Sequence, residues 1–261
     1  MHPALWISKT GLDAQQMNVQ VTSNNLANVE TVAFKKGRAI FDDLLYQKVR
    51  QAGAENGNNA ELPSGLMLGT GVRVAGTEKN FQQGNPNRTD NPNHIAINGR
   101  GFFQVLRSDG TTAYTRDGEF SISSTGALTT NEGLLLQPSI TIPPSSTNLS
   151  IGHDGTVSIN LAGSVAPTQV GSIQLVDFIN YSGLEPIGDN LYIETAASGA
   201  AQSVKPAQNG AGELLQGYLE SSNVNVVEEL INLIQGQRAY EINARSVETA
   251  DKMLQFITQM L

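Results

Sequence analysis

Apolar residues recur every seven positions at both ends of this chain. Val226, Leu233, Tyr240, Val247, Leu254 and Leu261 form one series, and Leu5, Leu12, Val19 and Leu26 form the other. On a helix, a seven-residue apolar repeat draws a seam that must be buried against another helix. Positions 31 to 222, between the two series, are rich in Gly, Asn, Ser and Thr and read as β structure. The fold class is therefore α+β, with two sticky helices flanking a β body. That plan suits a subunit of an assembly better than an enzyme.

Local signals set the ends of the helices. Pro3 suits a first helical turn, because its missing N–H has no helical partner there anyway. The first helix runs from Pro3 to about Ala27 or Asn28, with Asn24, Asn25 and Asn28 weakening its last turn. Asn225 can cap the second helix, with Glu228 three residues on in a capping-box-like spacing. Glu241–Arg245 and Glu248–Lys252 are i,i+4 pairs in the favoured order. Gly236 sits mid-helix, where it costs about 1 kcal/mol relative to Ala. Only close approach of another helix accounts for it. Met253, Leu254, Phe256, Ile257, Met260 and Leu261 cover nearly the whole circumference of the last turns, which implies burial by several neighbours.

Turns organise the middle. Asp109-Gly110, Asp117-Gly118 and Asp154-Gly155 are hairpin-type signals. Short runs lie among them: Phe102 to Leu106, Thr112 to Thr115, Glu119 to Ile122, Thr156 to Ile159 and Val170 to Phe178. They predict a twisted antiparallel sheet or irregular barrel. The polar stretch Gln51 to Ser64 reads from composition as a loop. The expected division is a helical segment 1–33, a connector 34–71 with a polar spacer 46–71, a β-rich body 72–209, a return connector 210–222 and a helical segment 223–261.

Composition narrows the function. Net charge is −8, which argues against nucleic acid and against an anionic membrane surface. The chain has no cysteine, so disulfides, thiolate metal sites and thiol nucleophiles are excluded. No apolar run is long enough to span a bilayer. The first eighteen residues lack a basic region followed by an apolar one, so a cleaved secretory signal is not expected.

Chemistry finds little support. None of His2, His94 and His153 has a metal-ligand spacing to another His, Asp or Glu on a predicted helix. His153-Asp154-Gly155 reads as a turn before it reads as an acid–base fragment. Gly69-Thr70-Gly71 and Gly99-Arg100-Gly101 are too short for phosphate loops. No catalytic residue, metal ligand or cofactor site is expected.

Four blocks resemble the bacterial flagellar rod and hook proteins. The first is Asn24-Asn25-Leu26-Ala27-Asn28-Val29 with Phe34-Lys35-Lys36. The second is Ile97 to Val105 with Tyr114 to Phe120. The third, Gln216 to Glu229, contains Asn223 and Asn225, and the fourth, Leu233 to Asn243 with Thr249 to Leu254, contains Arg238, Tyr240 and Glu241. One departure is Val32-Ala33, where the family usually has Gly before the Phe. It puts in question any turn needing φ > 0 at position 33.

Within the family the chain is most similar to the distal rod proteins, with a proximal rod protein or a short hook protein as alternatives. A secreted, coiled-coil-anchored β binding module is the alternative from another class. The resemblance implies a coiled-coil-like inner domain of terminal helices and an outer β domain. It also implies polymerisation into a hollow, rigid drive shaft across the periplasm, which conducts exported subunits through its lumen. The implied partners are further copies of the chain, proximal rod proteins, the hook protein, the outer P- and L-ring proteins and the flagellar type III export apparatus. Neither nucleic acid nor direct membrane insertion is implied.

Overall fold

A computed structural model describes residues 3–50, 55–56, 60–61, 65–161 and 166–260. Helix α1 (Pro3–Ala27) and helix α2 (Val226–Met260) enclose a series of short strands in sequence. Helix α1 has the expected bounds, and α2 begins directly after the residue expected to cap it. The cap of α2 is also the expected one: Asn225 Oδ1 accepts the N–H groups of Val227 at 3.0 Å and Glu228 at 3.4 Å. Of the two charge pairs anticipated on α2, Glu248–Lys252 closes at 2.7 Å.

The chain falls into two compact units. One gathers Met1–Ala27, Gly37–Lys79 and Asn225–Leu261; the other gathers Asn28–Lys36 and Asn80–Val224.

In the first unit a two-stranded ribbon accompanies the helices. Gly37–Asp43 pairs antiparallel with Val72–Lys79, with a bulge at Ile40/Phe41. Gln47–Arg50 pairs with Leu66–Leu68, and Glu55–Asn56 with Ala60–Glu61. The stretch Gln51 to Ser64 was read as a loop because its composition is polar. Its described residues are strand, since backbone pairing needs no apolar side chains. The rest of it (51–54, 57–59 and 62–64) lies outside the described residues. Helix α1 touches the ribbon where Thr10 Oγ1 faces Gly71. A Cβ on Gly71 would come 2.2 Å from that oxygen, and the residue sits at φ +123°.

The second unit is built on antiparallel sheets. The largest runs 120–122, 128–130, 135–137, 102–106, 112–115, 191–193, 185–188, with 175–177 and 202–204 branching from it. A three-stranded sheet (146–151, 156–161, 168–172) and two pairs, 213–216 with 95–98 and 218–220 with 86–88, complete it. Among the described residues the strand path is open and does not close into a barrel.

Strand 102–106 lies at the centre and is buried on both faces. Alternation sends Phe103 into a cluster with Ile95, Phe120, Leu136 and Leu175, and Phe102 into one with Tyr114, Phe178 and Tyr192. Asp109-Gly110 and Asp154-Gly155 turn hairpins as expected, with Gly110 at φ +80° and Gly155 at +83°. Asp117-Gly118 does not. Strand 112–115 pairs with 102–106 and 191–193, while 120–122 pairs with 128–130. Gly118 is required for a different reason: a Cβ there would lie 1.7 Å from the Ile95 carbonyl oxygen.

Candidate assembly faces and the polar junction

Helices α1 and α2 pack against each other, antiparallel, in the first unit. Gly11 faces Asn243, Val19 faces Gly236, and Asn25 faces Glu229. A Cβ on Gly236 would lie 2.9 Å from Val19 Cγ2, which gives the mid-helix glycine its reason. The buried residues on this line are Ala14, Thr22 and Asn25 from α1, and Glu229, Gly236 and Ala250 from α2. The intrachain contact is therefore small and polar, not a stripe of large apolar side chains.

Apart from Val19, which sits on it, the apolar heptads flank this line. Leu5, Leu12, Val19, Leu26, Leu233, Val247 and Leu254 are half-buried, whereas Val226 and Tyr240 are exposed. Leu261 lies outside the described residues. Further out on α2, Val227, Leu230, Ile231, Ile234, Ile242, Met253 and Phe256 are 41–70% exposed. A soluble monomer seldom leaves so many large apolar groups along one helix open to water.

Two asparagines from the family blocks act as hubs. Their amide suits the task because it carries two N–H donors and one acceptor oxygen. Asn25 accepts the Gly37 N–H at 2.8 Å, donates to the Gly37 carbonyl at 2.8 Å, and donates to Glu229 Oε2 at 3.2 Å. Asn223 accepts the Lys36 N–H at 2.8 Å and donates to the carbonyls of Asn80 at 2.8 Å and Gln82 at 3.0 Å. Each hub works within its own unit, on segments that cross into or out of that unit.

The second unit also buries three charges. Lys35 Nζ lies 2.6 Å from Glu220 Oε1, and Arg116 Nε lies 2.9 Å from Glu220 Oε2. Their side chains are 0%, 1% and 5% exposed for Lys35, Glu220 and Arg116 respectively. The remaining capacity goes to backbone. Lys35 donates to the Gln82 carbonyl, Glu220 accepts the Gly84 N–H, and Arg116 donates to the carbonyls of Gly99 and Gly101. Burying charge costs several kcal/mol per ion unless pairing and hydrogen bonds offset it; here they do so for Glu220 and only in part for Lys35. Two cations against one anion leave the cluster with a formal excess of one positive charge.

Burial and that excess together set the titration. Burial, then the Arg116 charge, pull Lys35 down from 10.5 to about 8, against the opposing pull of Glu220. Burial by itself pushes Glu220 up, but Arg116, Lys35 and the Gly84 N–H outweigh it and hold the carboxyl below its usual 4.5. Nearby, burial pushes Tyr192 up to about 12, so its phenol stays neutral throughout the titration of Lys35.

Ala33 precedes this cluster. It is buried, donates its N–H to the Glu220 carbonyl at 2.8 Å, and sits at φ +57°. The left-handed turn that the family glycine would supply is thus kept, by an alanine, at a backbone cost of about 1–2 kcal/mol. Among the other block residues, Phe34 is buried, Leu26 and Asn28 are half-buried, and Asn24, Ala27, Arg238 and Glu241 are exposed. Thr31 bonds the Asn28 carbonyl and side chain just after α1.

Sequence reading missed the charged cluster and Glu229. The available signal was that Lys35, Arg116 and Glu220 each stand inside a family block, in a chain with only 15% charged residues. The described histidines serve local structure: both ring nitrogens of His94 are engaged, by Thr89 and Asn91, and His153 sits in the Asp154-Gly155 turn, while His2 lies outside the described residues.

Terminal helices that leave large apolar side chains uncovered, in a chain whose middle is an antiparallel β unit, are the arrangement expected of the flagellar hook and rod class. Three family profiles agree. "Flagella basal body rod protein" matches residues 6–35, "Flagellar hook protein FlgE/F/G D1 domain" residues 96–159, and "Flagellar basal body rod FlgEFG protein C-terminal" residues 215–260. Each of the three matched stretches supplies one member of the charged cluster. The chain is 56% identical to a flagellar basal-body rod protein FlgG of Buchnera aphidicola (subsp. Schizaphis graminum) over 100% of both chains. It is 47% identical to the FlgG protein of Caulobacter vibrioides over 98% of both, and 34% identical to the FlgF protein of the same organism over 97% of this chain and 95% of that one. This chain belongs to the flagellar basal-body rod protein FlgG family.

The charged cluster predicts a pH signature. Glu220 has a lowered folded-state pKa, so its contribution is complete above its unfolded value near 4.5 and is lost as pH falls through the folded value. Lys35 has a lowered pKa as well. Between about pH 8 and 10.5 the unfolded chain therefore holds more protons at this site, and stability rises with pH. Glu220→Gln should lose on the order of 3 kcal/mol at neutral pH, because two buried cations lose their anion. Lys35→Met should abolish the alkaline rise. Urea melts at a series of pH values measure both, and an unchanged alkaline limb in Lys35→Met would refute the assignment.

Proposed function

We propose that this chain is a structural subunit of the flagellar distal rod, polymerising helically into a hollow and rigid shaft. The observation that carries the proposal is the open apolar face of α2 in a chain related over its full length to basal-body rod proteins. In the assembled shaft the half-buried heptad residues would meet helices of neighbouring copies in a coiled-coil-like inner layer, with the β unit outside. Large apolar side chains packed between many helices resist sliding, as torque transmission requires. The higher identity to the FlgG protein than to the FlgF protein of one organism favours the distal rod over other rod positions.

The remaining expectations follow from that placement. The shaft would span the periplasm, continue the proximal rod below, join the hook above and turn within the outer P- and L-rings. Its subunits would reach the tip through the lumen by the flagellar export apparatus. The role is mechanical and calls on no catalytic residue.

The ribbon is the second element of this reading. Leu45, Tyr46, Val49, Leu66, Met67 and Leu68 are all about half exposed or more. In the shaft they would contact other copies and hold the tube straight.

Ile231→Asp and Phe256→Asp alter exposed side chains, so monomer stability should shift by no more than about 0.5 kcal/mol. Each should nevertheless abolish rod assembly and swimming, because a charge would be buried at every subunit contact. Normal swimming by both variants would defeat the proposal. Deleting residues 51–64 should give rods that bend in electron micrographs; straight rods after the deletion would show that this stretch does not set stiffness.

A further inference from the structure

We propose that Asn25, Glu229 and Gly236 decide the register at which α1 and α2 pair. The apolar heptads are poorly suited to that task. A slide of one heptad places apolar residues over apolar residues again, so the loss is small. The central line does not repeat in that way. Glu229 is 4% exposed and its carboxylate is held by the Asn25 amide. A slipped pairing would bury that carboxylate without its donor, the kind of mismatch that fixes register in helical assemblies.

Asn25 is also oriented in advance. Its side-chain oxygen and one of its N–H groups are both committed to Gly37, only 12 residues along the chain from Asn25 itself. The donation to Glu229 therefore starts from a fixed position. Gly236 supplies the matching steric condition, because the Val19 methyl occupies the space its own Cβ would need. A third step, Gly11 beneath Asn243, falls at the same antiparallel register, where a Cβ would lie 3.2 Å from the amide nitrogen. One polar pair and two close steps thus agree on a single alignment.

The consequence is a division of labour. Small and polar residues select the intrachain partner, and the large apolar residues stay half-open on the flanks for further copies of the chain. The second half of this statement rests on the polymer reading above; the first half does not.

The test uses the full-length chain, which has no cysteine of its own. Ala4→Cys with Ala250→Cys places thiols on two residues that line one cleft between the helices. A short bismaleimide then reports the native register as an intramolecular cross-link. Glu229→Leu should keep helix content by circular dichroism yet lower cross-link yield at least about threefold, as pairings of similar energy mix. Gly236→Leu should lower it too, and adding Val19→Ala should restore it. Unchanged yield in Glu229→Leu overturns the proposal, even if Gly236→Leu fails to fold. Failure of the polymer reading is separable: it would appear as swimming by Ile231→Asp cells, with the cross-link results as expected.

Discussion

Three buried charges fix how this chain closes. Lys35 comes from the segment just after the first helix, Arg116 from the middle of the β unit, and Glu220 from the last strand before the second helix. None can be seated alone without leaving an ion in a dry site, so the pieces are held together or not at all. Lys35 and Glu220 are 185 residues apart in sequence, and their bond ties the entry of the second unit to its exit. Asn223 extends the same junction to Lys36, Asn80 and Gln82 through backbone groups. The positive φ of Ala33 belongs to this arrangement: from that turn its N–H reaches the Glu220 carbonyl.

The helices obey a complementary rule. Where α1 and α2 meet within the chain, the buried residues are Gly, Ala, Thr, Asn and Glu, with Val19 set against Gly236. Where α2 faces water, several are Ile, Leu, Val, Met and Phe. A monomeric protein would be expected to arrange these the other way. In a polymer the order makes sense, because the large faces are to be covered by several neighbours and the small line lets two backbones approach closely.

Periodic and local features were legible in the sequence. The helix bounds, the Asn225 cap and the hairpins at Asp109-Gly110 and Asp154-Gly155 follow from 3.6-residue periodicity, capping chemistry and left-handed glycines. Asp117-Gly118 misled because its glycine answers to a close backbone neighbour, and a dipeptide carries no information about what lies beside it. The ribbon between 37 and 79 escaped for a related reason: its pairing rests on backbone hydrogen bonds, which side-chain composition does not report. The charged cluster was the least accessible feature. Its members are far apart in the chain, and an isolated Lys, Arg or Glu reads as a surface residue until the fold brings it inside. The heptads were legible as sticky, but the smaller residues beside them form the intrachain contact.

The central claim is that this chain builds the distal part of the flagellar rod. Electron microscopy of basal bodies from cells lacking it tests that claim most directly. A rod that stops short, without outer rings or hook, is the predicted result. A complete rod missing only the hook, or an intact flagellum, would contradict it.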